Sequence, residues 1–329
     1  MTPERWREIL AVFDAVVDVE PTARDAMLSD ACGEDLALRD EVVAMIEADA
    51  SSSLLDLPAV DALALGDDAR RSIGRYQLTG PARSRLVLED FDAVDSDGNA
   101  VVVVLSQVAA SQGDGERLAA QQRQLASVVD DRIRTAIDAG VTEAGSAYWV
   151  RAADGWESLV AAAAKLPVLD RIPLAIALCE ALAQLHDHGL VHGTLTVDSA
   201  VVDESGRVVV YDGAIAPVLC DQPDRALLVP PFAAPELFRR GALSARSDVY
   251  ALGAVIYQLL TGEPPFAVDD VPGPALARAI ETASVRPLSS VSHELSPLDA
   301  VVSRCLAARP EGRYADASEL AGAIRSARG

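Results

Sequence analysis

The fold is decided by the stretch Leu190-Val191-His192-Gly193-Thr194-Leu195-Thr196-Val197-Asp198-Ser199-Ala200-Val201-Val202, in which a polar loop leads into an apolar strand. A second apolar run, Val208–Val210, follows and ends in Tyr211-Asp212-Gly213-Ala214. Short apolar runs of this kind, bounded by polar segments, are consistent with buried strands. Three further landmarks come later in the chain: Ala233-Ala234-Pro235-Glu236, the helical run Ser247–Tyr257, and Arg309-Pro310-Glu311-Gly312-Arg313-Tyr314.

The order and spacing of these segments resemble those of bacterial Ser/Thr protein kinases, over about residues 74 to 329. In that family the loop reads His-Arg-Asp-Leu-Lys-x-x-Asn, the second strand leads into Asp-Phe-Gly, and Ala-Pro-Glu closes the activation segment. The resemblance implies an α+β, two-lobed protein kinase-like fold. It also implies architectural roles for His192, Glu236, Asp248 and Arg313, with a buried ion pair between Glu236 and Arg313.

The same resemblance shows that the residues of the catalytic loop have changed. The positions of the family's Arg, catalytic Asp, Lys and Asn hold Gly193, Thr194, Thr196 and Ser199, and the Phe of Asp-Phe-Gly is replaced by Gly213. Phosphoryl transfer depends on a carboxylate that orients the substrate hydroxyl and on an amide ligand for the second metal ion. A hydroxyl side chain supplies neither group, so the loop predicts a site that has lost its chemistry.

The smaller lobe shows corresponding changes. The segment Leu78–Arg85, which corresponds to the phosphate-binding loop, has one glycine and contains Pro81, which lacks a backbone donor. The family's strand lysine aligns with Val104, and its helix glutamate aligns with Gln121. Lys165, the only lysine of the chain, lies elsewhere.

Asp212 is retained at the position of a metal ligand. A single carboxylate rarely holds magnesium without substrate phosphates, so we expect Asp212 to be a vestige, either solvated or paired with a nearby arginine. Arg151 aligns near the position that guards the back of the adenine pocket, where it would fill that pocket or pair with Asp212. The alternative is an ordinary hinge or surface residue, if the alignment is shifted by one. The sequence therefore predicts no bound cofactor and no metal site.

Composition limits the possible partners and location. The chain carries 28 basic and 50 acidic residues, a net charge of −22, which should repel nucleic acid and anionic lipid surfaces. No apolar run reaches the roughly 18 residues that a membrane helix needs. The four cysteines are scattered, which favours reduced buried thiols over a disulfide framework. We therefore expect a cytoplasmic protein that binds neither membrane nor nucleic acid.

The domain organisation follows from hydrophobic periodicity. Residues 1–50 show helical spacing of apolar residues and predict a separate all-α domain, and 51–73 are expected to be a linker. Residues 74–151 and 152–329 are expected to be the smaller and larger kinase-like lobes. The first 60 residues hold 14 acidic and 4 basic residues, which indicates either a solvated surface or a docking face for a basic partner.

These observations favour a protein that is not an enzyme. The expected function is a pseudokinase that acts as a protein-binding scaffold or allosteric regulator in bacterial Ser/Thr phosphosignalling. Its partner would be an active Ser/Thr kinase, a kinase substrate or a transcription regulator. The alternative is an atypical kinase, or another nucleotide-dependent transferase, with relocated catalytic residues.

Overall fold

The structure is a computed structural model that describes residues 72–85, 88–127, 130–219, 232–238, 242–266 and 285–328, with scattered residues before position 50. Contacts divide the chain into two compact units, and the larger one, Leu57–Asp269 with Ile280–Gly329, contains every element named below. Most of the predicted helical domain and linker, and the centre of the activation segment, lie outside the described residues. Those of the first 50 residues that are described include the buried side chains of Leu28, Cys32, Leu38 and Val42.

A seven-stranded antiparallel sheet forms the first part of the larger unit. Its strands are β1 (Ser72–Ile73), β2 (Tyr76–Leu78), β3 (Arg83–Arg85), β4 (Leu88–Val94), β5 (Ala100–Ala109), β6 (Asp138–Val141) and β7 (Ser146–Ala152). The strand order is β1-β2-β4-β5-β7-β6, and β3 pairs with β4. Because β1 begins at Ser72, the sheet starts two residues before the boundary expected from the sequence. We call residues 72–152 the small lobe.

Alternation along the valine-rich strand β5 gives the sheet two apolar faces. Val101, Val103 and Leu105 belong to one buried cluster. Val102 and Val104 belong to another, which includes Leu118 of helix α1 (Gln112–Ala126). Successive strand side chains point to opposite faces, so one strand serves both clusters. The α1 face is the one that meets the rest of the larger unit, because its cluster also contains Ile215, Val218 and Leu219.

Helix α1 begins at a capping box, in which Ser111 and Asp114 satisfy each other's backbone donors. The Asp114 N–H donates to Ser111 Oγ at 3.3 Å, and the Ser111 N–H donates to Asp114 Oδ2 at 2.7 Å. A Ser cap of this kind typically stabilises a helix by about 1 kcal/mol. This cap fixes the start of the helix that covers the sheet.

The second part of the larger unit is mainly helical, and we call its residues from 157 onwards the large lobe. A three-stranded antiparallel sheet has the order β10-β9-β8, from β8 (Glu157–Ser158), β9 (Ala200–Val202) and β10 (Val208–Val210). The helices are α2 (Leu159–Ala164), α3 (Ile172–Asp187), α4 (Ala216–Leu219), α5 (Pro235–Phe238), α6 (Ala245–Thr261), α7 (Ser296–Cys305) and α8 (Ala317–Arg328). The observed sheet-and-helix composition agrees with the expected α+β class.

Helix α6 is the central helix of this lobe. From Ser247 to Leu260 every residue except Gln258 is buried. It ends at Gly262, whose φ of 87° lies in the left-handed region that glycine adopts without a steric penalty. At Gly253 the helix approaches α7 so closely that an added Cβ would overlap the Cβ of Cys305.

The two lobes are joined by main-chain hydrogen bonds. The Arg134 N–H donates to the Val210 carbonyl and the Val210 N–H donates to the Arg132 carbonyl, both at 2.8 Å. Ile133 and Val210 thereby form a parallel bridge between the segment after α1 and strand β10. Among the described helices, none is both long and apolar enough to span a membrane.

Candidate functional site

The loop 190–199 is held in place by Asp248 in the first turn of α6. Asp248 is 1% exposed, and its two carboxylate oxygens accept the N–H groups of His192 at 2.7 Å and Gly193 at 2.8 Å. His186 Nε2 lies 3.0 Å from the same carboxylate. Because the Ala317 N–H donates to His186 Nδ1, the ring proton is on Nε2 and donates to Asp248. Two backbone donors therefore fix the loop to the central helix, and His186 of α3 donates a third hydrogen bond to the same carboxylate.

His192 connects the loop to the end of strand β10. Its Nδ1 accepts the Thr194 N–H at 3.3 Å, so its Nε2 carries the proton and donates to the Tyr211 carbonyl at 2.8 Å. The ring is fully buried, and this burial lowers the pKa of His192. The neutral imidazole thus acts as a structural link between the two segments.

The polar side chains of the loop mostly serve its own turn. The Asp198 N–H donates to Thr196 Oγ1 at 3.2 Å, and the Thr196 N–H donates to Ser199 Oγ at 3.1 Å. Thr196 and Ser199 are buried, whereas Thr194 is half-buried. At Thr196 and Ser199, hydroxyl groups thus stabilise the backbone at positions where the resemblance places a lysine and an asparagine.

Gly193 adopts a conformation that few other residues tolerate. Its φ is +83°, and an added Cβ would lie 2.7 Å from the Cβ of Ala216. Both the backbone angle and the neighbouring helix α4 therefore select glycine at this position.

Asp212 follows strand β10 of the large lobe and contacts strand β7 of the small lobe. We call the place where these segments meet the cleft, with Asp212 on its floor and strands β4, β5 and β7 as its roof. Its side chain is 4% exposed and its φ is 63°. The Trp149 Nε1–H donates to Asp212 Oδ1 at 2.7 Å, and Arg151 Nη1 lies 3.8 Å from Asp212 Oδ2. The structure therefore brings Asp212 together with Arg151. It also adds Trp149, which the sequence analysis missed although it lies two residues from Arg151 on the same strand face.

Arg151 itself is bound from two sides. Its Nη2 donates to Asp90 Oδ2 on β4 at 2.5 Å, and its guanidinium carbon lies 4.8 Å from the centre of the Tyr211 ring. The Tyr211 hydroxyl donates to Asp154 at 2.7 Å. Asp90 was also missed, because the contact depends on strand pairing that local spacing does not show.

The roof of the cleft is apolar where the resemblance places a lysine. Val104 is fully buried against Leu118 of α1. Gln122 of α1 faces the floor, since its Nε2 donates to the Gly213 carbonyl at 3.0 Å and its Oε1 accepts the Ala136 N–H at 2.9 Å. The aligned residue Gln121 is only half-buried. The helix residue that contacts the floor is therefore one position later than the sequence alignment placed it.

The residues of the cleft do not fit a magnesium ion in this arrangement. The described residues contain no group of three or more His, Cys, Asp or Glu side chains placed to hold a metal. Asp212, the one retained ligand position, has one carboxylate oxygen bonded to Trp149 and the other facing Arg151. A metal ion would have to displace both contacts before Asp212 could bind it.

Glu236 of α5 and Arg313 form a bidentate ion pair. Arg313 Nη1 and Nη2 donate to Glu236 Oε1 and Oε2, each at 2.7 Å. The other three N–H groups of Arg313 donate to the carbonyls of Ala307, Arg246 and Ala308. The Arg313 side chain is fully buried and the Glu236 side chain is 16% exposed. All five donors are used, so the charge is buried but fully hydrogen-bonded.

The chain is similar in sequence and in structure to known protein kinases. Residues 121–320 match the model of the family described as protein tyrosine and serine/threonine kinase. Among solved structures, the chain is similar to a double mutant of the Mycobacterium tuberculosis PknI kinase domain, with a TM-score of 0.62 and 20% identity. That alignment covers 80% of this chain and all of the other. The expected kinase-like fold is confirmed at this level.

Curated relatives include the serine/threonine-protein kinase PknB of Mycolicibacterium smegmatis, 35% identical over 148 residues, and that of Mycobacterium leprae, 32% identical over 160 residues. The matches cover 43% and 47% of this chain but 24% and 26% of the relatives, so they span about a quarter of those proteins. The expected relation to bacterial Ser/Thr kinases is confirmed.

One sequence-based prediction is wrong. The chain was expected not to be an enzyme, because the loop lacks the family's carboxylate and amide. The matched relatives are named serine/threonine-protein kinases and the kinase domain is present, which points to an enzyme. The kinase domain is retained over residues 121–320 although single positions of the loop differ from the family pattern. The chain belongs to the protein tyrosine and serine/threonine kinase family.

Proposed function

We propose that this chain regulates bacterial Ser/Thr phosphosignalling through protein contacts made by its kinase domain. The observation that carries the proposal is the fully bonded framework around Glu236, Arg313 and Asp248, which holds the end of the activation segment and the loop against helix α6. A buried charge is tolerated only when other groups compensate it, and here Glu236 pairs with Arg313 whereas Asp248 accepts three hydrogen bonds. Because these buried groups hold the loop and the end of the activation segment in one arrangement, the kinase domain presents a defined surface to a partner.

The partner we propose is a protein: an active Ser/Thr kinase, a substrate of such a kinase, or a transcription regulator. The net charge of −22 favours a partner with a basic face, since complementary charge speeds association. The same charge disfavours nucleic acid. We place this function in the cytoplasm because Cys179 and Cys305, which are described and buried, are free thiols.

The test is direct binding of purified partners by calorimetry, with the partner's rate of peptide phosphorylation measured in parallel. We expect saturable binding to an active bacterial Ser/Thr kinase domain, with a change in its rate. Chain that has been heat-denatured is the control. If active kinases, their substrates and transcription regulators all fail to bind the native chain, the proposal is wrong.

A second candidate function is phosphoryl transfer by relocated groups. It is favoured by the retained Asp212 and by the guanidinium of Arg151, which lies 3.8 Å away. Phosphoryl transfer relies mainly on positioning and charge neutralisation, which other side chains can supply. Thr194 and Ser199 offer neither a carboxylate nor an amide, so other groups would have to take these roles.

Radiolabelled phosphate transfer tests this second function. If it holds, the native chain transfers phosphate above the level of a denatured control, and Asp212→Asn removes that activity while circular dichroism shows intact folding. Lys165→Ala, which removes an exposed cation from the same lobe, should leave the activity unchanged. Activity that survives Asp212→Asn would exclude the assigned role of Asp212.

A further inference from the structure

Arg151 joins the roof of the cleft to its floor. On the roof, Asp90 of β4 pairs with Val104 of β5, and Val102 of β5 pairs with Arg151 of β7, so Asp90 and Arg151 lie diagonally across β5. From there the guanidinium reaches down to Asp212 and the ring of Tyr211. One side chain therefore spans the space between the two lobes.

This contact is buried. The side chains of Arg151, Asp90 and Asp212 are 14%, 6% and 4% exposed. One cation lies between two carboxylates, so the cluster of three carries a net negative charge. A ligand with phosphate groups would meet like charge there, and any planar ligand would compete with the guanidinium for the Tyr211 ring.

We propose that Arg151 is an autoinhibitory contact: its guanidinium occupies the cleft and excludes an adenine-bearing ligand until the Arg151–Asp90 pair is opened. The proposal rests on the second candidate function, because it assigns that ligand class to the cleft. It goes beyond it by naming the residue that decides access. A bound protein could release the contact by moving β4 or β7, since the pair joins these two strands.

The chain offers a matched control for this arginine–carboxylate pair. Arg75, between β1 and β2, places its Nη2 3.1 Å from Asp138 Oδ2 of β6, so this pair also joins two parts of the small lobe. The side chains of Arg75 and Asp138 are 65% and 29% exposed. Removing it changes the charge of the small lobe as much as removing the buried pair.

The experiment measures binding of adenosine, which is uncharged and so does not depend on the charge of Asp212. Asp90→Asn with Arg151→Ala removes the contact without leaving an unpaired charge on Asp90. We expect the affinity for adenosine to rise at least about tenfold over the native chain, a change of about 1.4 kcal/mol. Asp138→Asn with Arg75→Ala should bind adenosine as weakly as the native chain.

Two outcomes would overturn the proposal: native chain that binds adenosine as tightly as the buried-pair variant, or a folded buried-pair variant without any gain. If circular dichroism shows that this double variant does not fold, Asp90→Asn alone is titrated with adenosine. This substitution removes the carboxylate that lies closest to the Arg151 guanidinium. A gain in the same direction is then expected, and no gain overturns the proposal. Kinase binding by these variants is measured separately, because its loss would count against the regulatory function only.

Discussion

Arg313 shows how a single side chain fixes distant parts of the large lobe. Its five donors reach Glu236 of α5, the first turn of α6 and the turn after α7. The ring of Tyr250 lies 4.9 Å from its guanidinium carbon. Lysine has three donors and no planar fork, so it could not satisfy the same set of acceptors.

Replacing Arg313 with alanine should destabilise the chain strongly. The variant leaves the Glu236 carboxylate without its cation and exposes three carbonyls to an unfilled space, for which about 3–5 kcal/mol is the usual cost. Chemical denaturation followed by circular dichroism measures this change. Arg83→Ala, which breaks an ion pair that is half exposed, should change the unfolding free energy far less. Equal effects of the two variants would mean that the Arg313 network is not a stabilising framework.

The sequence was informative about residues whose neighbours are set by motif spacing, and less so about contacts made across strands. The pairing of Arg151 with Asp212 could be expected, because both positions are known relative to the motifs. Trp149 and Asp90 could not, since their contacts depend on the pairing of β4, β5 and β7. The difference between Gln121 and Gln122 has the same origin, because the rotation of a helix is set by packing.

At the scale of elements, two glycines distinguish packing from helix propensity. Gly253 lies in α6, where an added Cβ would overlap Cys305 of α7. Gly322 lies in α8, and nothing lies within 4 Å of the position of an added Cβ. Alanine is preferred over glycine in a helix by about 1 kcal/mol. The same gain in helix propensity therefore applies at both sites, but only at Gly253 do the neighbouring atoms oppose it.

Gly253→Ala should therefore destabilise the chain, and Gly322→Ala should stabilise it. Overpacking a well-packed helix contact costs about 1–3 kcal/mol, which exceeds the propensity gain at Gly253. At Gly322 the expected gain is about 0.5–1 kcal/mol. Thermal and chemical denaturation of the two variants measure both values. A stabilised Gly253→Ala variant would show that α6 and α7 are less closely packed than described.

At the scale of the whole molecule, charge is the dominant property. The balance of 50 acidic to 28 basic residues gives a negative field around the chain. Such a field acts over about 10 Å at 0.1 M salt and about 3 Å at 1 M salt. Binding to a basic partner should therefore weaken as salt is added, whereas a contact governed by apolar surface should not.

Two probes test this property, a ten-residue arginine peptide and a 20-base-pair DNA duplex. We expect the peptide to bind at 0.05 M salt and to dissociate progressively towards 0.5 M, and the duplex not to bind at either concentration. Fluorescence anisotropy of labelled probes measures both. Retention of the duplex at low salt would show a local basic surface strong enough to overcome the net charge.

Gly193 has a consequence for the history and engineering of this loop. Suppose that a single mutation restored the arginine that the resemblance assigns to this position. The new side chain would start from a left-handed backbone angle that favours glycine, and its Cβ would lie 2.7 Å from the Cβ of Ala216. A single substitution therefore cannot restore the arginine without a clash, and the loop and helix α4 would have to change together. Designs that graft family motifs here should exchange both segments at once.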